Sequence, residues 1–134
     1  MMLDVQYIQK SKVYRIKNRK TNKYLTSGPD LTTEPGSTGK IQQFWLLDEV
    51  KPTSYEIVCL KSGQVLSRKD SLILEKGNWS GCQFWKLERA ELDHSKNYFW
   101  LIAKDDESLT LFGSSASNKV SMKNFDRTLF VSNW

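Results

Sequence analysis

The chain has two cysteines, one histidine and no long apolar run in its 134 residues, and each scarcity closes off a class of protein. Cys59 and Cys82 are too few for a disulfide framework, and a small reduced protein carries about that many. With His94 they offer zinc at most two thiolates and one imidazole, without the close paired spacing of structural sites, so no metal or other cofactor is expected. His94 sits in the hydrophilic connector Glu91-Leu92-Asp93-His94-Ser95-Lys96, where Asp93 adjoins it but no nucleophile or pocket is indicated. Cys59 falls in the inward phase of a strand and reads as a small core residue. No glycine-rich phosphate loop occurs. Catalytic residues are therefore not expected. The 18 or more apolar residues of a membrane span are also missing, and Met1 to Lys10 lacks the apolar core of a secretory leader. The expected location is the cytoplasm, or outside the cell by release without a classical signal peptide.

Acidic side chains are absent from one long stretch. Lys10, Lys12, Arg15, Lys17, Arg19, Lys20 and Lys23 follow one another with no Asp or Glu between, in a chain of net charge +5. Such a run is ordinarily a solvated face, and its functional alternative is a polyanion site for sulfated glycan or acidic lipid. No nucleic-acid partner is expected.

What is abundant is repetition. Tyr14, Ile16, Leu25 and Trp45 return as Tyr55, Ile57, Leu66 and Trp85, and again as Phe99, Leu101, Leu109 and Phe130, at separations of 40 to 45 residues. Gln43-Phe44-Trp45 closes the first copy and Gln83-Phe84-Trp85 the second, decaying to Thr128-Leu129-Phe130 in the third.

Each copy opens with alternation. Val13-Tyr14-Arg15-Ile16-Lys17 and Ser54-Tyr55-Glu56-Ile57-Val58 place apolar side chains on one face of a strand and charges on the other. Polar turns at Lys17 to Lys23 and Lys61 to Gln64 lead into Tyr24-Leu25 and Val65-Leu66. Third strands contain Leu31 to Glu34 and Leu72 to Glu75, and the fourth start at Gln-Phe-Trp. Connections this short leave no room for crossover helices, so the chain is all-β. Each unit exposes an apolar edge it cannot cover alone, and three units closing about a shared axis bury it. The expected architecture is a β-trefoil of three pseudo-symmetric four-stranded repeats, about 11–52, 53–95 and 96–134, in a single domain over 1–134. Tyr14, Ile16, Leu25, Trp45, Leu47 and their counterparts would form its core.

A threefold unit of this length, with an aromatic-x-aliphatic opening and a Gln-x-Trp close, resembles the ricin B-type lectin family from Val13 to Trp134. Tyr14-Arg15-Ile16-Lys17-Asn18 and Asn22-Lys23-Tyr24-Leu25 are also similar to the fascin and fungal-lectin branches of β-trefoils. The resemblance implies sugar bound in a shallow pocket of one repeat. Such pockets use an Asp after the repeat's Leu, an aromatic platform, and an Asn beside Gln-x-Trp. This chain has Thr26, Ser67 and Thr110 at the first position and Gln42, Cys82 and Arg127 at the last. An ionised carboxylate grips hydroxyls more strongly than a neutral hydroxyl does, so any sugar site here uses other residues.

Trp79, in Gly77-Asn78-Trp79-Ser80-Gly81, heads the candidates: a glycine-flanked indole can stack on a pyranose or fold back over the barrel rim. Asn78, Lys76 and Gln83 supply polar groups, and Asp70 the carboxylate that Ser67 lacks. Asn78-Trp79-Ser80 is also an N-glycosylation acceptor pattern. Trp100 is second, since alternation in Tyr98-Phe99-Trp100-Leu101-Ile102 turns it away from the core. Its cover would be a partner, a second copy, or the arm around Leu3, Val5 and Tyr7. Asn124 and Asp126 mark a polar loop in the third copy.

The leading function is a non-enzymatic carbohydrate-binding module for glycans of galactose or N-acetylgalactosamine type, as monomer or homodimer. The alternatives are a protein-interaction trefoil, such as a protease inhibitor or a component of a toxin or cytoskeletal complex, and polyanion binding through Lys10 to Lys23.

Overall fold

A computed structural model describes residues 2–4, 12–37, 39–90 and 98–125. The strands run β1 (Met2–Asp4), β2 (Lys12–Tyr14), β3 (Tyr24–Thr26), β4 (Thr32–Glu34), β5 (Trp45–Lys51), β6 (Ser54–Cys59), β7 (Val65–Arg68), β8 (Leu72–Glu75), β9 (Trp85–Ala90), β10 (Tyr98–Ala103), β11 (Leu109–Gly113) and β12 (Val120–Asn124). The first two repeats thus have their four strands each, β2 to β5 and β6 to β9. The third shows β10 to β12; its closing segment around Thr128 to Phe130, like His94, Val5, Tyr7 and Asp126, lies outside the described residues. β1 precedes the first repeat and pairs antiparallel with β10, Leu3 opposite Phe99.

Register carries the pseudo-symmetry. Tyr14 lies opposite Trp45 in the β2–β5 pair, as Tyr55 lies opposite Trp85 in β6–β9. Between repeats, Trp45 and Leu47 face Cys59 and Ile57, and Trp85 and Leu87 face Ala103 and Leu101. Antiparallel pairing with a side-chain period of two carries every apolar residue of each set to one face, which becomes the barrel interior. Ile16, Leu25, Trp45, Leu47, Ile57, Leu66, Trp85, Leu101 and Leu111 have 0% of their surface exposed. Polar handles are satisfied inside: Trp45 Nε1 donates to the Leu25 carbonyl at 3.1 Å and Trp85 Nε1 to the Leu66 carbonyl at 3.0 Å. The order and registers are those of a β-trefoil.

The third copy corrects one assignment. Val58 pairs with Val65, Lys17 bridges Tyr24 and Ile102 pairs with Thr110, so Leu111 rather than Leu109 matches Leu25 and Leu66. The position after the repeat's Leu is therefore Phe112 in this copy, not Thr110.

Candidate functional site

The site is built on the connection from β8 to β9. A 3-10 turn at Gly81–Gln83 brings Gln83 beneath the loop that follows Glu75. Gln83 is fully buried: its Oε1 accepts from the Asn78 N–H at 2.9 Å, and its Nε2 donates to the Lys76 carbonyl and to Glu75 Oε2, both at 3.0 Å. One amide thereby shapes the loop at both ends. Asn78 Oδ1 accepts from the Ser80 N–H at 2.9 Å, forming an Asx turn across Trp79. Trp79 itself takes φ of 61°, a left-handed conformation costly for a large residue. The result is an indole 64% exposed, standing 6.0 Å from the Phe84 ring at 58°. Of the two readings of Trp79, the one that projects it into solvent is the geometry found.

Polar contacts tie the base of the loop to the β7–β8 hairpin. Lys69 Nζ is 2.8 Å from Glu75 Oε1, and Cys82 Sγ is 3.3 Å from Ser67 Oγ and 3.0 Å from Ser80 Oγ. The Lys69 ammonium, with Ser67 and Gln83 hydrogen-bonded to the carboxylate, holds Glu75 at about 2 against an ordinary 4.5. Because the folded value is depressed, the stabilisation is complete above the unfolded value and is lost as pH falls from about 4.5 toward 2. Thermal midpoints of the native chain and Glu75→Gln should therefore differ most at pH 5 and above and converge as the medium is acidified to pH 2; a constant gap would contradict this.

Several candidates are placed differently from expectation. Gln83 and Trp100 are buried: Gln83 is spent on the loop, and Trp100, 3% exposed, belongs to the core cluster rather than pointing away from it, its ring 4.9 Å from that of Phe125. The cover over Trp100 thus comes from within the chain. Asp70 is exposed on the β7–β8 turn, lining a cleft toward Val120 and Met122, and the carboxylate near Ser67 is Glu75 instead. Lys76 and Asn78 share the Trp79 loop, whereas Asn124 is exposed at the end of β12, opposite Leu109 in the third repeat. Glu75 and Lys69 were missed, although β7–β8 pairing sets Glu75 opposite Val65.

The first repeat has the same clamp without the platform. Gln43 Oε1 accepts from the Ser37 N–H and its Nε2 donates to the Pro35 carbonyl, both at 2.9 Å. Its Nε2 also reaches Thr26 Oγ1 at 3.2 Å. Glu34, the counterpart of Glu75, is turned to Asn118, whose amide, with Thr32, lowers its pKa. Within the basic run, the Arg15 guanidinium stacks on Tyr24, 4.4 Å from the ring centroid. Among the described residues no group of three or more His, Cys, Asp or Glu is placed to hold a metal.

This architecture is a β-trefoil, and solved structures share it. A Macrolepiota procera ricin B-like lectin in complex with lactose is similar at TM-score 0.75 and 15% identity, over 90% of this chain and 91% of that one. The designed three-fold symmetric protein ThreeFoil matches at TM-score 0.68 and 19% identity, over 85% and 89%. A mosquitocidal holotoxin matches at TM-score 0.74 and 17% identity over 89% of this chain, which spans only 16% of that one. No protein-family model matches the sequence, and a search of curated proteins finds none similar to it.

Proposed function

We propose that the chain is a non-enzymatic carbohydrate-binding module whose site is the second repeat. The observation that carries this is Trp79: a loop clamped from below by Gln83 holds an indole in a left-handed conformation with most of its surface in water. An exposed flat apolar ring beside hydrogen-bonding groups matches a pyranose, which has one apolar face and a rim of hydroxyls. Lys76, Asn78 and Ser80 are the polar residues that share the loop with that ring. The likeness to a lectin solved with lactose supports sugars of galactose or N-acetylgalactosamine type.

Titration with lactose, galactose and N-acetylgalactosamine at millimolar concentration should shift the Trp79 indole resonance and the amides of residues 76–81. Trp79→Ala should weaken binding about tenfold or more, the loss of a stacked ring being worth about 1.4 kcal/mol. Its thermal midpoint should hold, since no core is lost and alanine keeps the Cβ that makes the left-handed φ costly. A glycan array without hits, together with unmoved resonances, would remove this reading.

A further inference from the structure

The hairpins β3–β4, β7–β8 and β11–β12 meet at one end of the barrel, giving three equivalent junctions. One is closed. There the β11–β12 turn lies along β4: Lys119 bridges Thr32, the Asn118 carbonyl accepts from the Thr33 N–H at 2.9 Å, and Asn118 Nδ2 donates to Glu34 Oε1 at 3.1 Å. The other two are open. A cleft of about 480 Å³ separates the first hairpin's turn from β8, and one of about 340 Å³ separates the second's from β12.

Turn length causes the difference. Eight residues separate the paired Phe112 and Ser121, but five separate Thr26 from Thr32, and five Ser67 from Ile73. Gly113 lets the longer hairpin settle: its carbonyl accepts from Asn18 Nδ2 at 2.9 Å, and a Cβ there would stand 2.8 Å from that nitrogen. Ser27 and Arg68 occupy the matching positions.

The larger cleft keeps a strand edge available. Among the described residues β8 pairs only with β7. Leu74 faces Leu66 as Thr33 faces Leu25, so the Leu74 amide is directed to the cleft as the Thr33 amide is to Asn118. Leu72 and Leu74 give it half-buried apolar walls, and among the described residues Asp30 is the one charged side chain lining it. In the smaller cleft Arg68 and Lys69 stand at that end.

We propose that the cleft between the first and second hairpins receives an extended basic segment of a partner protein. The segment adds as a short strand to β8, in the way residues 118 and 119 add to β4. Backbone pairing supplies the attachment, and Asp30 selects a cationic side chain.

The test uses a capped heptapeptide copying residues 115–121, Ser-Ala-Ser-Asn-Lys-Val-Ser, the chain's own solution to the equivalent junction. At millimolar concentration it should produce saturable amide shifts confined to residues 28–31 and 71–75. Asp30→Lys should weaken it about twofold to fivefold, the range of an exposed ion pair. A probe carrying glutamate in place of its lysine should bind more weakly to the unaltered protein, and Trp79→Ala should change nothing. No shifts, shifts centred on residues 76–81, or indifference to both charge reversals would overturn the proposal.

Discussion

Trp85→Ala should lower stability by about 3–5 kcal/mol and the thermal midpoint by roughly 10–20 °C. The ring is entirely buried at the point where β9 meets both β6 and β10. Truncation removes its apolar contacts and leaves a cavity bordered by rigid strands, which cannot collapse without breaking ladder hydrogen bonds. It also removes the indole N–H that the Leu66 carbonyl accepts at 3.0 Å. Trp85→Phe separates the two contributions. Phenylalanine keeps much of the apolar surface but leaves that buried carbonyl unpaired, so about 1–3 kcal/mol of the loss should persist. Trp45, with the same burial and the same bond to Leu25, should behave alike. An unchanged midpoint for either alanine variant would contradict the barrel packing.

That these two tryptophans belong to one architecture is readable from the sequence because the information is periodic. Alternation at Tyr14 and Ile16 fixes the face, and recurrence at Tyr55 and Ile57 fixes the symmetry. Periodicity fails where two answers share a phase. Leu109 and Leu111 are two residues apart and point the same way, so only the pairing of Ile102 with Thr110 chooses Leu111. Alternation turns Trp100 away from the core, yet it is buried in the core cluster against Phe125, a residue 25 positions later that no pattern links to it. Trp79 was visible because glycines isolate it. The carboxylate of its loop was not: Asp70 is near Ser67 along the chain, whereas Glu75 is near it across a hairpin, and the register that decides between them is set by a turn of three residues, 69–71.

Gln83→Ala should cost stability and weaken sugar binding together. The amide satisfies the Asn78 N–H and the Lys76 carbonyl and helps fix the Glu75 carboxylate. Without it a part-buried donor and acceptor lose their partners, an effect of about 2–3 kcal/mol in all where water can enter from the loop side. The loop would no longer hold Trp79 at φ of 61°, and a platform whose orientation wanders binds more weakly, because the ordering cost then falls on the ligand. Pseudo-symmetry supplies the control. Gln43→Ala removes the same clamp from the first repeat, where Gln43 holds Ser37 and Pro35. It should lower the midpoint to a similar extent while leaving lactose affinity within about twofold, since the sites are separate units. If both variants lose stability but only Gln83→Ala loses sugar, the glutamine of Gln-x-Trp is a structural clamp in both copies that carry it, and function enters through what its loop displays. Equal loss of binding in both would place recognition somewhere other than the Trp79 loop.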